Sequence, residues 1–131
     1  METLHLSIIT PANGKIFEGD ISSVTFPGSE GEFGVLAGHA SLVSLLTAGV
    51  IELEKADKTK ESVAVDWGYV EIGENCACAL VDGAVAITGD SESEIAKAID
   101  SAKKLIREAS DSDVLIAASE AKIEASAKSR F

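Results

Sequence analysis

Residues 27–49, PGSEGEFGVLAGHASLVSLLTAG, constrain this chain more than any other stretch. They hold five of its eleven glycines, one of its two prolines and one of its two histidines. Glycine serves where a backbone takes a positive φ or comes close to another backbone. Five of them set among apolar pieces predict closely spaced turns and very short strands. One strand is expected over 32–36, carrying Phe33, Val35 and Leu36, and Leu42, Val43, Leu45 and Leu46 form the next apolar piece. His39 and the carboxylates of Glu30 and Glu32 are left on turns, where loops commonly carry function. Hairpin turns of a β domain account for the same pattern with no function attached.

A chain of 131 residues has room for one core, or for one core and a small appendage. At 46% hydrophobic and 25% charged residues, it has the composition of a folded domain. The net charge of −11 argues against nucleic acid, whose binding needs Lys and Arg to neutralise phosphates. It also argues against adsorption on anionic lipid or direct lipid insertion, so partners are expected to be neutral or basic. No apolar run approaches the ~20 residues that cross a bilayer, and the start METLHLSIITP has no basic n-region, so no signal peptide is expected. Cys76 and Cys78 in a strand would point the same way with Cα atoms about 7 Å apart, at the upper limit for a disulfide. They read as two reduced thiols in or near the core, which points to a reducing compartment. With no other cysteine and two histidines, no metal site is expected.

Composition changes near residue 90. Glycine stops at Gly89, and alanine becomes the commonest residue beyond it. Charge divides at the same place: residues 1–90 hold 4 basic and 14 acidic side chains, residues 91–131 hold 7 and 8. Two parts are expected, an α+β arrangement: an all-β sandwich or flattened barrel of about ten short strands over 1–89, then an antiparallel α-helical hairpin over 90–131. In the first part Leu4, Leu6 and Ile8 alternate with polar residues, and Asn13-Gly14 is a hairpin signal. Gly19-Asp20 reads as another turn, and the irregular spacing of Ile21, Val24 and Phe26 predicts a bulge. Further turns are expected at 55–58, 73–75 and Asp82-Gly83. In the second part Ser91 or Ser93 caps a helix with Glu92 and Glu94 in its first turn. Its inner face is expected to carry Ile95, Ile99, Ala102, Ile106 and Ala109, with Ala98 and Leu105 beside them. A second helix over 113–127 follows, its inner face formed by Leu115 or Val114 with Ala118, Ala121 and Ala125. So thin a stripe predicts a weakly held arm, because an alanine methyl contributes well under the ~1.5–3 kcal/mol of a buried Leu or Ile.

The chain shows no catalytic constellation. Neither His5 nor His39 neighbours a nucleophile motif such as G-x-S-x-G, and the glycines of 28–34 lack the Lys-Ser/Thr of a phosphate-binding loop. Glu30 and Glu32 would do acid–base work only in a cleft. The residues alone describe a two-part interaction protein. A small-ligand sensor, or an enzyme with a site near Glu30, Glu32 and His39, stands as a rival.

The segment SEGEFGVLAGHA, preceded by Ser23-Val24-Thr25 and followed by Gly49-Val50-Ile51, resembles the signature of the epsilon subunit of the bacterial rotary ATP synthase. The strand ending Ile9-Thr10-Pro11, the run WGYVEI at 67–72 and Ala86-Ile87 extend the resemblance over essentially the whole chain. It implies a β-sandwich followed by a helical hairpin, with no active site and no cofactor of its own. It implies a rotor subunit at the cytoplasmic face of the bacterial inner membrane, bound to the gamma subunit on one side and to the polar loops of the membrane c-ring on the other. The ring-facing residues of that family match Glu32 and His39, with Glu30 and Gly38 beside them; a loop carboxylate accepts from basic and amide donors, and an imidazole adds a hydrogen bond. The hairpin is implied to extend along gamma to the alpha and beta subunits and to block ATP hydrolysis, with Lys122, Lys128 and Arg130 as the cations it offers. Some relatives bind ATP through an Ile/Leu-Asp-x-x-Arg-Ala motif. Here Glu94 and Lys97 stand at its Asp and Arg positions and Ser93 at the aliphatic one, and lysine lacks the bidentate fork that suits phosphate.

Overall fold

The computed structural model describes residues 3–88 and 91–128, with side chains to residue 125. Nine strands precede two helices among these residues: β1 (Leu4–Thr10), β2 (Gly14–Gly28), β3 (Gly31–Leu36), β4 (Leu42–Leu46), β5 (Gly49–Lys55), β6 (Lys60–Val65), β7 (Gly68–Ile72), β8 (Cys76–Val81), β9 (Ala84–Ala86), α1 (Glu92–Ala109) and α2 (Asp113–Lys128). The expected α+β architecture is present. Residues 89 and 90, where the two parts were expected to meet, lie outside the described residues, as do Arg130 and the side chain of Lys128, two of the expected cations.

β2 organises the sheet because its 15 residues outlast every partner. Its first half pairs with β1, from Leu4↔Ile21 to Thr10↔Gly14. Its second half carries β3 on one edge and β5 on the other. β1 runs parallel to β8, β8 pairs with β7, β7 with β4, and β4 returns to β2 at Gly28↔Leu46. The ring β2-β1-β8-β7-β4 therefore closes, and β5, β6 and β9 extend the second layer. The turn expected at Gly19-Asp20 does not form. Gly19 pairs with Leu6 and Asp20 with His5, so β2 runs straight through. The ladder to β1 outweighs the local turn preference of a Gly-Asp pair. The expected bulge is present, as a register shift between Ile21 and Ser23 opposite β5.

Alternation sends Leu4, Leu6, Ile8, Val24, Phe26, Val35, Ile51, Leu53, Val63, Val65, Val70 and Ile72 into one core between the layers. Phe33 packs on Phe26 with ring centroids 5.7 Å apart. Gly68 lets β7 lie close to β8: a Cβ there would stand 2.1 Å from the Leu80 carbonyl oxygen. The outer face of β5 and β6 builds a second core, in which Val50 and Ala64 meet Ile87, Ala102, Ile106 and Ile123. Both faces of this part of the sheet are buried, and the hairpin covers the outer one.

Ser91 caps α1, its hydroxyl accepting from the Glu94 N–H, as expected. Ile95, Ala102 and Ile106 are buried, but Ala109 is exposed, lining an open hollow beside Asp66 and Trp67. The inner face of α2 differs from the expected one. Ala118, Ala121, Ala125 and Val114 are exposed, whereas Ser119 and Ile123 are buried and Leu115 and Ile116 half-buried. The helix is rotated so that its larger side chains, and not its alanines, cover the β5–β6 face. The larger apolar area decides the rotation. Cys76 and Cys78 are free thiols on the outer side of β8. Cys76 is exposed, contrary to a place in or near the core. Cys78 is half-buried, and burial together with the Glu71 charge pushes its thiol above the usual cysteine range.

Candidate functional site

The 28–33 turn and β4 form one rim of the sandwich. β2 turns into β3 at Gly28↔Gly31, and Ser29 donates its N–H to the Leu45 carbonyl at 3.0 Å. β3 and β4 then diverge, joined only near Gly28, and leave between them an open groove of about 500 Å³. Glu30, Glu32 and Phe33 line it on one side, Leu42, Val43 and Leu45 on the other.

Both carboxylates expected at the site therefore lie at this groove. Gly38 and His39 do not line it. They sit on the loop that joins β3 to β4, beyond the far end of β3, with roughly 13 Å of strand between Glu32 and Leu36 at ~3.3 Å per residue. Gly38 has φ +83, which a side chain rarely tolerates, and donates its N–H to the Glu74 carbonyl at 2.6 Å. The His39 Nδ1 lies 2.7 Å from the Ala40 carbonyl oxygen. A carbonyl only accepts, so Nδ1 is the donor in this contact. Glu94 and Lys97 are exposed on the first turns of α1, away from the groove.

Glu32 lies on the side of β3 opposite to Phe33, facing α2. Lys122 of α2 forms an ion pair with Glu32, and a second with Glu52 at 3.3 Å. Partial burial pulls the Lys122 ammonium below the ordinary lysine value. Glu52, on β5, was missed as a partner because nothing local marks it; it meets Lys122 because α2 packs on β5.

A second feature was also missed. Val43 and Leu45 on β4, Tyr69 on β7 and Trp67 beside it are exposed by 67, 66, 38 and 61%. Leu45 pairs with Tyr69, and Tyr69 with Leu80, so the apolar residues run across the outer face of the first layer. The signal was readable: Leu42-Val43 and Leu45-Leu46 are apolar on both faces of a strand, which burial on one side does not require. Such a patch marks an interaction surface. Among the described residues no cluster of His, Cys, Asp or Glu could hold a metal ion, and no helix is long and apolar enough to cross a membrane.

Residues 3–87 match the family model for the ATP synthase delta/epsilon chain β-sandwich domain. A closed sandwich with a helical hairpin laid on one outer face defines the class as a subunit of that kind. The curated relatives are more particular. The ATP synthase epsilon chain of a Nitratiruptor species is 59% identical over 128 residues, covering 98% of each chain. That of Campylobacter fetus is 55% identical over 130 residues, covering 99% of this chain and all of the relative. The chain belongs to the ATP synthase epsilon chain family. In fold it is similar to a chain in the Euglena gracilis mitochondrial ATP synthase, OSCP/F1/c-ring, at a TM-score of 0.62 and 20% identity, covering 99% of this chain and 82% of that one. A chain of the Tetrahymena thermophila mitochondrial ATP synthase central stalk and c-ring gives a TM-score of 0.54 at 14% identity, covering 81% and 95%.

Proposed function

We propose that this chain is a non-catalytic rotor subunit of a proton-translocating ATP synthase. It joins the gamma subunit to the polar loops of the c-ring, at the cytoplasmic face of the bacterial inner membrane, and so couples ring rotation to ATP synthesis. The observation that carries this reading is the rim, where two carboxylates on a tight turn adjoin an exposed apolar face. Glu30 and Glu32 suit basic and amide donors of a ring loop, with His39 and Gly38 on the neighbouring loop. Val43, Leu45, Tyr69 and Trp67 suit an apolar docking site on gamma, since aromatic residues concentrate binding energy at interfaces. The hairpin restrains ATP hydrolysis when it extends toward the alpha and beta subunits. Release of α2 is favoured over release of α1, because α1 buries Ile95, Ala102 and Ile106, whereas α2 among its described residues buries one large side chain, Ile123.

Calorimetry of the purified chain against a gamma-containing catalytic head, with hydrolysis followed in parallel, tests the stalk role. One-to-one binding is expected, and Leu45→Asp with Tyr69→Ala should weaken it by at least tenfold. Absence of binding by the unaltered chain would leave only an interaction module of another kind. For the ring side, Glu32→Lys reverses the charge at the turn and should weaken co-sedimentation of the head with stripped membranes. Unchanged sedimentation would remove Glu32 from the ring contact.

A further inference from the structure

The Glu32 carboxylate has a partner inside this chain. Lys122 reaches it from α2, across 90 residues of sequence, and holds Glu52 on its other side. Two further ion pairs of α2, Lys103–Glu124 at 2.7 Å and Arg107–Glu120 at 2.6 Å, tie it to α1. Lys122 instead ties α2 to the sandwich, and it does so at a residue of the groove rim. Side chains of Lys122, Glu32 and Glu52 are 29, 49 and 44% exposed, so water and a partner's charge reach all three.

We propose that Glu32 is a shared contact, holding α2 against the sandwich through Lys122 and receiving a cation-bearing partner segment at the 28–33 turn, so that the two occupancies oppose each other. A second ammonium or guanidinium brought to this carboxylate meets the like charge of Lys122 at close range. Lys122 then loses its hold on Glu32, and α2 is held less firmly. Coupling between two binding events is reciprocal, so loosening α2 strengthens partner binding by the same factor. The partner favoured by the acidic turn and the net charge of −11 is a basic polar loop. Naming that loop as one of the c-ring rests on the function proposed above, whereas the contact between α2 and Glu32 does not.

Hydrogen exchange of residues 113–125 in the full chain tests the contact first. Lys122→Gln should speed exchange of α2 about two- to fivefold at low salt. Glu32→Gln should do so by less, since Glu52 remains, and the double variant should match Lys122→Gln alone. Unchanged α2 exchange in both single variants overturns the contact. Binding of purified c-ring in detergent to the gamma-bound full chain tests the opposition. Lys122→Gln should bind the ring about two- to fivefold more tightly, and Glu32→Gln more weakly, than the unaltered chain. Equal ring affinity of Lys122→Gln and the unaltered chain overturns the opposition. A Glu32→Gln chain with faster α2 exchange and unaltered ring affinity overturns the ring as partner while sustaining the contact with α2.

Discussion

His5 faces Asp20 across the β1–β2 ladder and also reaches Glu18, at 3.1 and 3.2 Å. Hydrogen bonds to Asp20 first and Glu18 second raise its pKa above the ordinary imidazole value. Glu18, bonded by Lys15 and then His5, is lowered. For a histidine raised in the folded state, the stabilising contact is complete below the unfolded value near ~6.5. It is lost as pH rises through the folded value. The β1–β2 pairing should therefore weaken slightly as pH increases from about 6 to 8, and His5→Gln should remove that dependence. Thermal unfolding of both chains across this range, beside an NMR titration of the His5 ring, checks the sign; a midpoint below ~6.5 would contradict it. Gly68 presents a steeper case. An alanine methyl would meet the Leu80 carbonyl and Val81 Cα at 2.1 and 2.7 Å, so β7 must move away from β8. Gly68→Ala should cost about 1–3 kcal/mol, the range for overpacked sites, read as a fall in the denaturation midpoint.

At the level of elements, strands were more legible than the faces of helices. Alternation identified β1, the Asn13-Gly14 hairpin, the 32–36 strand and the bulge after Ile21, because each rests on neighbours in sequence. Gly19-Asp20 was misleading for the opposite reason: whether that pair turns depends on β1 lying alongside. The turn carboxylates Glu30 and Glu32 were legible as a site, but their separation from Gly38 and His39 by the length of β3 was not. In α2 the alanines at 118, 121 and 125 fall at helical spacing, and so do Ile116, Ser119 and Ile123. A helix with small apolar residues around much of its surface does not declare which side faces inward; the sheet beneath decides it. The exchange of anchors carries its own prediction. Ile123 is fully buried and Ala121 exposed. Ile123→Ala should loosen α2 by about 2–5 kcal/mol and raise its hydrogen exchange, with β1 and β2 unaffected, whereas Ala121→Ser should leave α2 unchanged.

For the whole molecule, the division between two cores matters more than the division between strands and helices. The inner core draws its buried residues from the β strands alone. The outer core needs both parts, since Val50 and Ala64 of the sheet are covered by Ile106 of α1 and Ile123 of α2. Departure of α2 therefore uncovers part of one core and leaves the other intact. The proposed release of α2 from a rigid sandwich needs this separation, because local opening is confined to segments with few buried contacts. Ending the chain after Ser110 should leave one cooperative unfolding transition for the sandwich. The transition should be lowered by at least the ~1.5–3 kcal/mol of a buried isoleucine, with gamma binding retained at Val43, Leu45 and Tyr69. Hydrolysis by a head reconstituted with this shortened chain should exceed that with the full chain. Retained gamma binding with identical hydrolysis would make the second helix a cover for Val50 and Ala64 and remove its inhibitory role. Loss of gamma binding would mean that the outer core helps hold the docking face in shape, so that the two layers act as one body.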